Sequence, residues 1–316
     1  AETIDNRVPV AAGSAPAQVA AGGLVAAILN RAVILVPYLW LLVFFLVPFL
    51  VVAKISVSEA MIARPPYAPL VEWDGWRLNI IVNIENFRRL WTDGLYINAY
   101  FFSIQVAFIS ASAALLIGYP MAYFIARSPE PRRTFLLMMV ILPFWTSFLL
   151  RVYAWQGFLR SNGVINNTLI SLGIIDTPIQ MLQTNFAVYL GIVYTYLPFM
   201  ILPLYTTLVK LDVSLFEASA DLGARPVHTF LFVTLPLSLP GIIAGSMLVF
   251  IPAIGEFVIP SLLGGPETLM IGRVLWDEFF SATNWPRASA VAVAMLLVVV
   301  VPIMLLQRAQ GAVVEK

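Results

Sequence analysis

Cysteine is absent from this 316-residue chain, and histidine occurs once, as His228. Disulfides and thiolate metal sites are therefore excluded, and one imidazole cannot assemble a histidine metal cluster. Lysine is almost missing: Lys54, Lys210 and Lys316 are the whole set, and none follows a glycine. A phosphate loop needs Gly-Lys-Ser/Thr, so that backbone amides cradle phosphate while the ammonium meets its charge; no such loop can be built here. No Ser-His-Asp set or catalytic carboxylate pair can be argued around the lone His228 either, so an enzyme is not the expected reading. Charge of both signs is scarce, with 11% charged residues against 60% hydrophobic and a mean hydropathy of +0.90. A soluble surface of this size needs more charge, which leaves a membrane protein in contact with the lipid bilayer. A net charge of +1 without any long Lys/Arg run supplies no basic field, and nucleic acid is not an expected partner.

What is present is a set of long apolar runs. Crossing hydrocarbon takes about 20 mostly apolar residues at about 1.5 Å each, with every backbone polar group satisfied inside the helix. Six runs qualify: Ala32 to Ala53, Gly94 to Ala126, Thr134 to about Leu159, Asn185 to Val209, about Leu239 to Leu262, and Ala288 to Gln307. The first is too long for the apolar core of a cleaved leader and reads as a retained helix. Prolines 37, 48, 120, 143, 198, 203, 252 and 302 fall inside these runs, so kinks and freed carbonyls are expected. Short loops on one side hold Arg127, Arg132, Arg133, Lys210 and Arg225 against Arg160, Arg273 and Arg287 on the other, which places both termini in the cytoplasm. The expected fold class is all-α integral membrane. It comprises a six-helix transmembrane domain over residues 31–308, a cytoplasmic loop at 210–236, a mobile cytoplasmic tail over 1–30 and a short tail over 309–316.

The loop after the fourth run carries the strongest local signal. Ser214 and Glu217 have capping-box spacing, Gly223 suits the left-handed position past a helix end, and Pro226 prevents continuation. A helix over about Leu215 to Leu222 is expected, with Leu215, Ala218 and Leu222 on one face and Glu217 and Asp221 on another. The stretch Glu217-Ala218-Ser219, then Gly223, nine residues, and Val233-Thr234-Leu235-Pro236 resembles the cytoplasmic motif of ABC importer permeases of the type I fold. In that family the pattern is Glu-Ala-Ala, three residues, Gly, nine residues, Ile-x-Leu-Pro; here Ser219 and Val233 depart from it by small changes. The resemblance, which extends over about residues 30 to 307, implies a coupling helix that seats in an ATPase subunit, with Ser214, Glu217, Ala218, Asp221 and Gly223 as the coupling residues.

A narrower resemblance follows. The stretches Gly255 to Pro260, Leu263 to Pro266, Met270 to Trp276 and Asn284-Trp285-Pro286 look like putrescine and spermidine permeases. That family implies a polyamine importer of the inner membrane, working by alternating access. It also implies a heterodimer with a second permease subunit, an ATPase dimer and a periplasmic solute-binding protein. No cofactor is expected on this chain, since ATP and Mg would be bound by the partner ATPases.

Glu256 is the one carboxylate inside an expected run, and an ionisable group at that depth costs several kcal/mol unless it meets water or a partner. Three readings stand side by side: direct contact with a cationic solute, an internal ion pair with Arg151 of the third run, and a carboxylate that reaches the surface. Tyr153, Trp155 and Tyr194, with Tyr196 nearby, are aromatic candidates for the path, because ring faces attract amine cations; aromatics also gather at membrane interfaces without such a role. Glu72, Asp74, Glu85, Asp93, Asp277 and Glu278 are candidates for an outer docking surface or plain solvated charge. A stand-alone secondary transporter or channel using Glu256 as its ion site, and an ABC permease for a different small solute, are the alternatives.

Overall fold

The computed structural model describes residues 33–74 and 77–314; the tail expected over residues 1–30 lies outside them. The chain divides into two compact units, residues 1–54 and 55–316. The described part of the first is apolar helix: α1, Val33–Ser56, has a π-helical turn at Leu42–Leu46, and its last two residues belong to the second unit.

The second unit opens with an antiparallel hairpin, β1 (Val71–Asp74) and β2 (Arg77–Ile80), in register Val71 to Ile80. It is a small exception to the all-helical expectation. The helices α2 (Glu85–Thr92) and α3 (Gly94–Arg127) follow, and Asp93 caps α3 by accepting from the Leu95 amide. Next come α4 (Arg132–Ile141), a 3-10 turn at Leu142–Trp145, α5 (Phe148–Leu159) and α6 (Val164–Ser171). The long α7 (Asn185–Leu208) is capped by the Thr184 hydroxyl, which accepts from the Ala187 amide. The helices of the 210–236 loop, expected to be cytoplasmic, are α8 (Val213–Asp221) and α9 (Pro226–Leu237). The chain then forms α10 (Leu239–Ile254), α11 (Val258–Leu263), α12 (Ile271–Trp276) and α13 (Trp285–Val314). Asn284 starts α13 by accepting from the Arg287 amide at 3.1 Å.

Among the described residues, α1, α3 and α7 are unbroken helices long and apolar enough to cross a membrane. Two expected spans are not straight. The third bends by 91° between Trp145 and Phe148; Pro143 has no N–H to offer the preceding turn, and Thr146 closes a tight turn by bonding the Pro143 carbonyl through both amide and hydroxyl. The fifth, expected as one helix from Leu239 to Leu262, stops at Ile254 and resumes at Val258, leaving Glu256 in the gap. A further bend of 65° separates α9 from α10. The sixth helix runs on past its expected end at Gln307 as far as Val314, through most of the stretch expected to be a tail.

Helices α3, α7 and α10 pack pairwise to form the core. The buried stripe of α3 is built from Ala99, Ser103, Ala107, Ala111, Ala114, Gly118 and Ala122, and small residues at this spacing let backbones approach closely where lipid gives no hydrophobic drive to associate. Met200 of α7 fills the resulting notch: a Cβ on Gly118 would stand 3.0 Å from its Cγ, and one on Gly245 of α10 2.8 Å from its Sδ. One cluster, with Ile192, Ile254, Ile259 and Leu263, occupies one end of this core, and another, with Tyr119, Met200, Leu204 and Val249, the other; Tyr196 and Phe250 pack against both.

Candidate functional site

Two places gather the residues singled out by the sequence. The first is α8. Asp212, not Ser214, caps it, accepting from the Ser214 amide at 3.0 Å; Asp212 and Ser214 are both good caps, and the earlier one adds Val213 and Ser214 to the helix. That amide, with the Ser214 hydroxyl adding to it, holds the Asp212 carboxyl below the ordinary aspartate range. At the other end Gly223 has φ +75°, donates to the Ala220 carbonyl at 2.8 Å, and is followed by Ala224 donating to Ser219 at 3.1 Å. This paired closure satisfies carbonyls that a helix end leaves open.

All five expected coupling residues, Ser214, Glu217, Ala218, Asp221 and Gly223, are exposed, as are Leu215 and Leu222. The opposite face holds the helix to the rest of the molecule. Phe216 lies under the Arg127 guanidinium, 3.8 Å from ring centroid to Cζ, and the Ser219 and Thr229 hydroxyls are 2.8 Å apart. Phe230, next to Thr229, meets Tyr119 and Tyr123 of α3 edge-on at 5.5 and 6.4 Å. The Tyr119 hydroxyl is 2.9 Å from that of Ser238, where α9 turns into α10. The helix is thus tied through Phe216 to the C-terminal end of α3, while its other face is exposed. Sequence reasoning missed Phe216 and Arg127; the signal was a single ring in a helix of small residues, four positions before Ala220.

The second place is the gap between α10 and α11. Glu256 is 8% exposed. Its Oε1 accepts from the amides of Val258 at 3.1 Å and Ile259 at 3.4 Å, and its Oε2 from the Tyr196 hydroxyl at 2.6 Å. The ion pair with Arg151 does not form: among the described residues Glu256 is in no salt bridge. Arg151 instead places its guanidinium 5.2 Å from the Phe144 ring, and its Nε has no hydrogen-bond partner. A pair between the two would need a straight third run to carry Arg151 to the level of Glu256, and the run is bent by 91°. Trp155 and Tyr194 do meet, edge to face at 5.4 Å, whereas Tyr153 is exposed on α5. Tyr196, which the sequence placed only among nearby aromatics, is the residue that reaches Glu256.

The outer carboxylates separate as well. Glu278 is turned inward, taking a hydrogen bond from the Tyr96 hydroxyl and pairing with Arg287 at 3.4 Å, so it is an internal tie between α3 and α13 and not a docking charge. Glu85 faces its neighbours Arg88 and Arg89 at 3.3 and 3.5 Å.

The profile of a family described as binding-protein-dependent transport system inner membrane component matches residues 114–316. The chain belongs to this family. Similar proteins include the spermidine/putrescine transport system permease protein PotB of Escherichia coli K12, 37% identical over 277 residues covering 88% of this chain and 96% of that one. The PotB of Haemophilus influenzae is 40% identical over 271 residues, 85% of this chain and 90% of the relative. The fold matches that of a crystal structure of a bacterial ABC transporter involved in the import of the acidic polysaccharide alginate, at a TM-score of 0.64 and 18% identity, covering 92% of this chain and 98% of the other. This permease is a multi-pass, helical protein of the inner membrane with the ABC importer permease fold, and α8 occupies the cytoplasmic-loop motif by which the family was anticipated.

Proposed function

We propose that this permease forms part of the path of an ATP-driven importer for polyamines, putrescine or spermidine. The observation that carries the solute class is the 37–40% identity, over 85–88% of the chain, to permeases named for those two amines. It works as a non-catalytic subunit beside a second permease, with a partner ATPase dimer that binds ATP and Mg and a periplasmic protein that delivers the amine. Both termini lie in the cytoplasm, the six crossings being α1, α3, the bent α4–α5 pair, α7, the α10–α11 pair and α13.

The geometry suits coupling. An ATPase that grips the exposed face made by Ser214, Glu217, Ala218, Asp221 and Gly223 would move α3 directly, because Phe216 and Arg127, and Phe230 between the two tyrosines, leave no slack. Closure of the ATPases then opens the path outward, and their release returns it inward. Trp155 and Tyr194 offer ring faces to an amine in transit, and Arg151 lies one turn before Trp155 on α5. Reconstituting the complex in proteoliposomes with labelled putrescine and spermidine tests this reading. Uptake should require ATP inside and the binding protein outside. Uptake of either amine that persists without nucleotide would point instead to a stand-alone transporter, and uptake of neither would remove the solute assignment.

A further inference from the structure

Depth makes Glu256 one candidate for a cation ligand, yet both of its carboxylate oxygens are already engaged. Oε1 caps α11 through the Val258 and Ile259 amides, and Oε2 takes the Tyr196 hydroxyl at 2.6 Å. The capped element is a wedge. Ile259 and Leu263 are fully buried, and a Cβ on Gly191 of α7 would stand 2.8 Å from a side-chain atom of each. The far end of α11 is held too: Gln156 of α5 donates to the Leu262 carbonyl at 3.3 Å, and the Gln183 amide to the Leu263 carbonyl at 2.9 Å. Through these contacts α11 is pinned to α7 at one end, and to α5 and the start of α7 at the other.

We infer that Glu256 is a positioning residue, which sets the outer half-helix of the path through the reach and hydrogen bonds of its side chain and not by offering its charge to the solute. The inference rests on the permease reading above. Charge and reach can be separated chemically. In Glu256→Gln the amide oxygen still accepts from Val258 and Ile259, and its NH2 can donate to Tyr196, whose hydroxyl can accept as well as donate. Glu256→Asp keeps the charge but is one methylene shorter, so it cannot hold the α11 amides and Tyr196 together.

The experiment uses the assembled complex in proteoliposomes, with labelled putrescine and spermidine as probes and rates taken per assembled complex. Glu256→Gln should import within about twofold of the unaltered protein, whereas Glu256→Asp should lose about tenfold in maximal rate with its half-saturating concentration changed by less than about twofold. Thermal unfolding of the same complexes reads the cap independently of any solute: the Gln variant should keep its midpoint and the Asp variant should lower it. Import retained by Asp and lost by Gln would overturn the inference, as would equal behaviour of the two variants or a Gln variant that fails to assemble. If the unaltered complex imports neither amine, the solute reading falls, and the unfolding midpoints still decide the role of Glu256.

Discussion

At the residue scale, the difference between Tyr194 and Tyr196 shows what a sequence conceals. Both are tyrosines of the same helix at comparable depth, but one meets Trp155 through its ring and the other gives its hydroxyl to Glu256. Helical spacing says which positions share a face; which hydroxyl finds a buried acceptor depends on the gap at residues 255–257, and that gap is tertiary. The distinction is testable. Tyr196→Phe leaves one oxygen of a nearly buried carboxylate without its donor, which costs about 1–3 kcal/mol, so the thermal midpoint of the purified complex should fall. Tyr194→Phe keeps the ring contact and should leave the midpoint in place. Equal midpoints for the two variants would mean that the Tyr196 bond contributes nothing to stability. Arg151 carries the same lesson: its type and position were legible, but its ring partner Phe144 became its neighbour only because the chain turns sharply between them.

At the element scale, unbroken apolar helices were legible almost to the residue. The expected Gly94 to Ala126 and Asn185 to Val209 became Gly94–Arg127 and Asn185–Leu208, because hydrocarbon demands an uninterrupted apolar run and a charge or a cap ends it. Breaks were not legible. Pro120, Pro198, Pro203 and Pro252 sit inside continuous helices while Pro143 accompanies a sharp bend, so proline identifies a freed carbonyl but packing decides whether the axis turns. The cap of α8 was not legible either: Ser214 was expected, and Asp212, on the other side of Val213, takes the role. The assignment to Asp212 predicts a pH dependence of definite sign. Folding lowers the pKa of this carboxyl, so its support of the helix is complete above the unfolded pKa of about 4 and fades as pH falls through the lower folded value. Protection of the first-turn amides of α8, measured as exchange relative to the intrinsic rate at each pH, should therefore fall in acid. Asp212→Asn, which caps without titrating, should abolish that pH dependence of protection, and Asp212→Ala should give low protection at every pH. An unchanged exchange rate in the Ala variant at neutral pH would return the cap to Ser214.

At the scale of the whole molecule, the reading depends on α8 and the loop between α11 and α12 lying on opposite sides of the membrane. The counting of arginines that suggested this was close, since residues 127–133 and 210–230 hold five Lys and Arg against three in the opposing short loops. The folded chain adds a topological argument: α10 and α11 lie between the two sites, one following α9 and the other preceding α12. Because the sequence has no cysteine, single-cysteine variants give labels without background. Asp221→Cys and Glu267→Cys both replace exposed residues. A thiol reagent that cannot cross the inner membrane should modify the Glu267 variant in spheroplasts and leave the Asp221 variant untouched until the membrane is opened. Inside-out vesicles should reverse the pattern, and addition of the partner ATPase should then slow labelling at position 221, because that position would be covered when α8 is seated. Labelling of position 221 from outside would put α8 beyond the reach of any cytoplasmic motor, and its exposed face would need a different occupant.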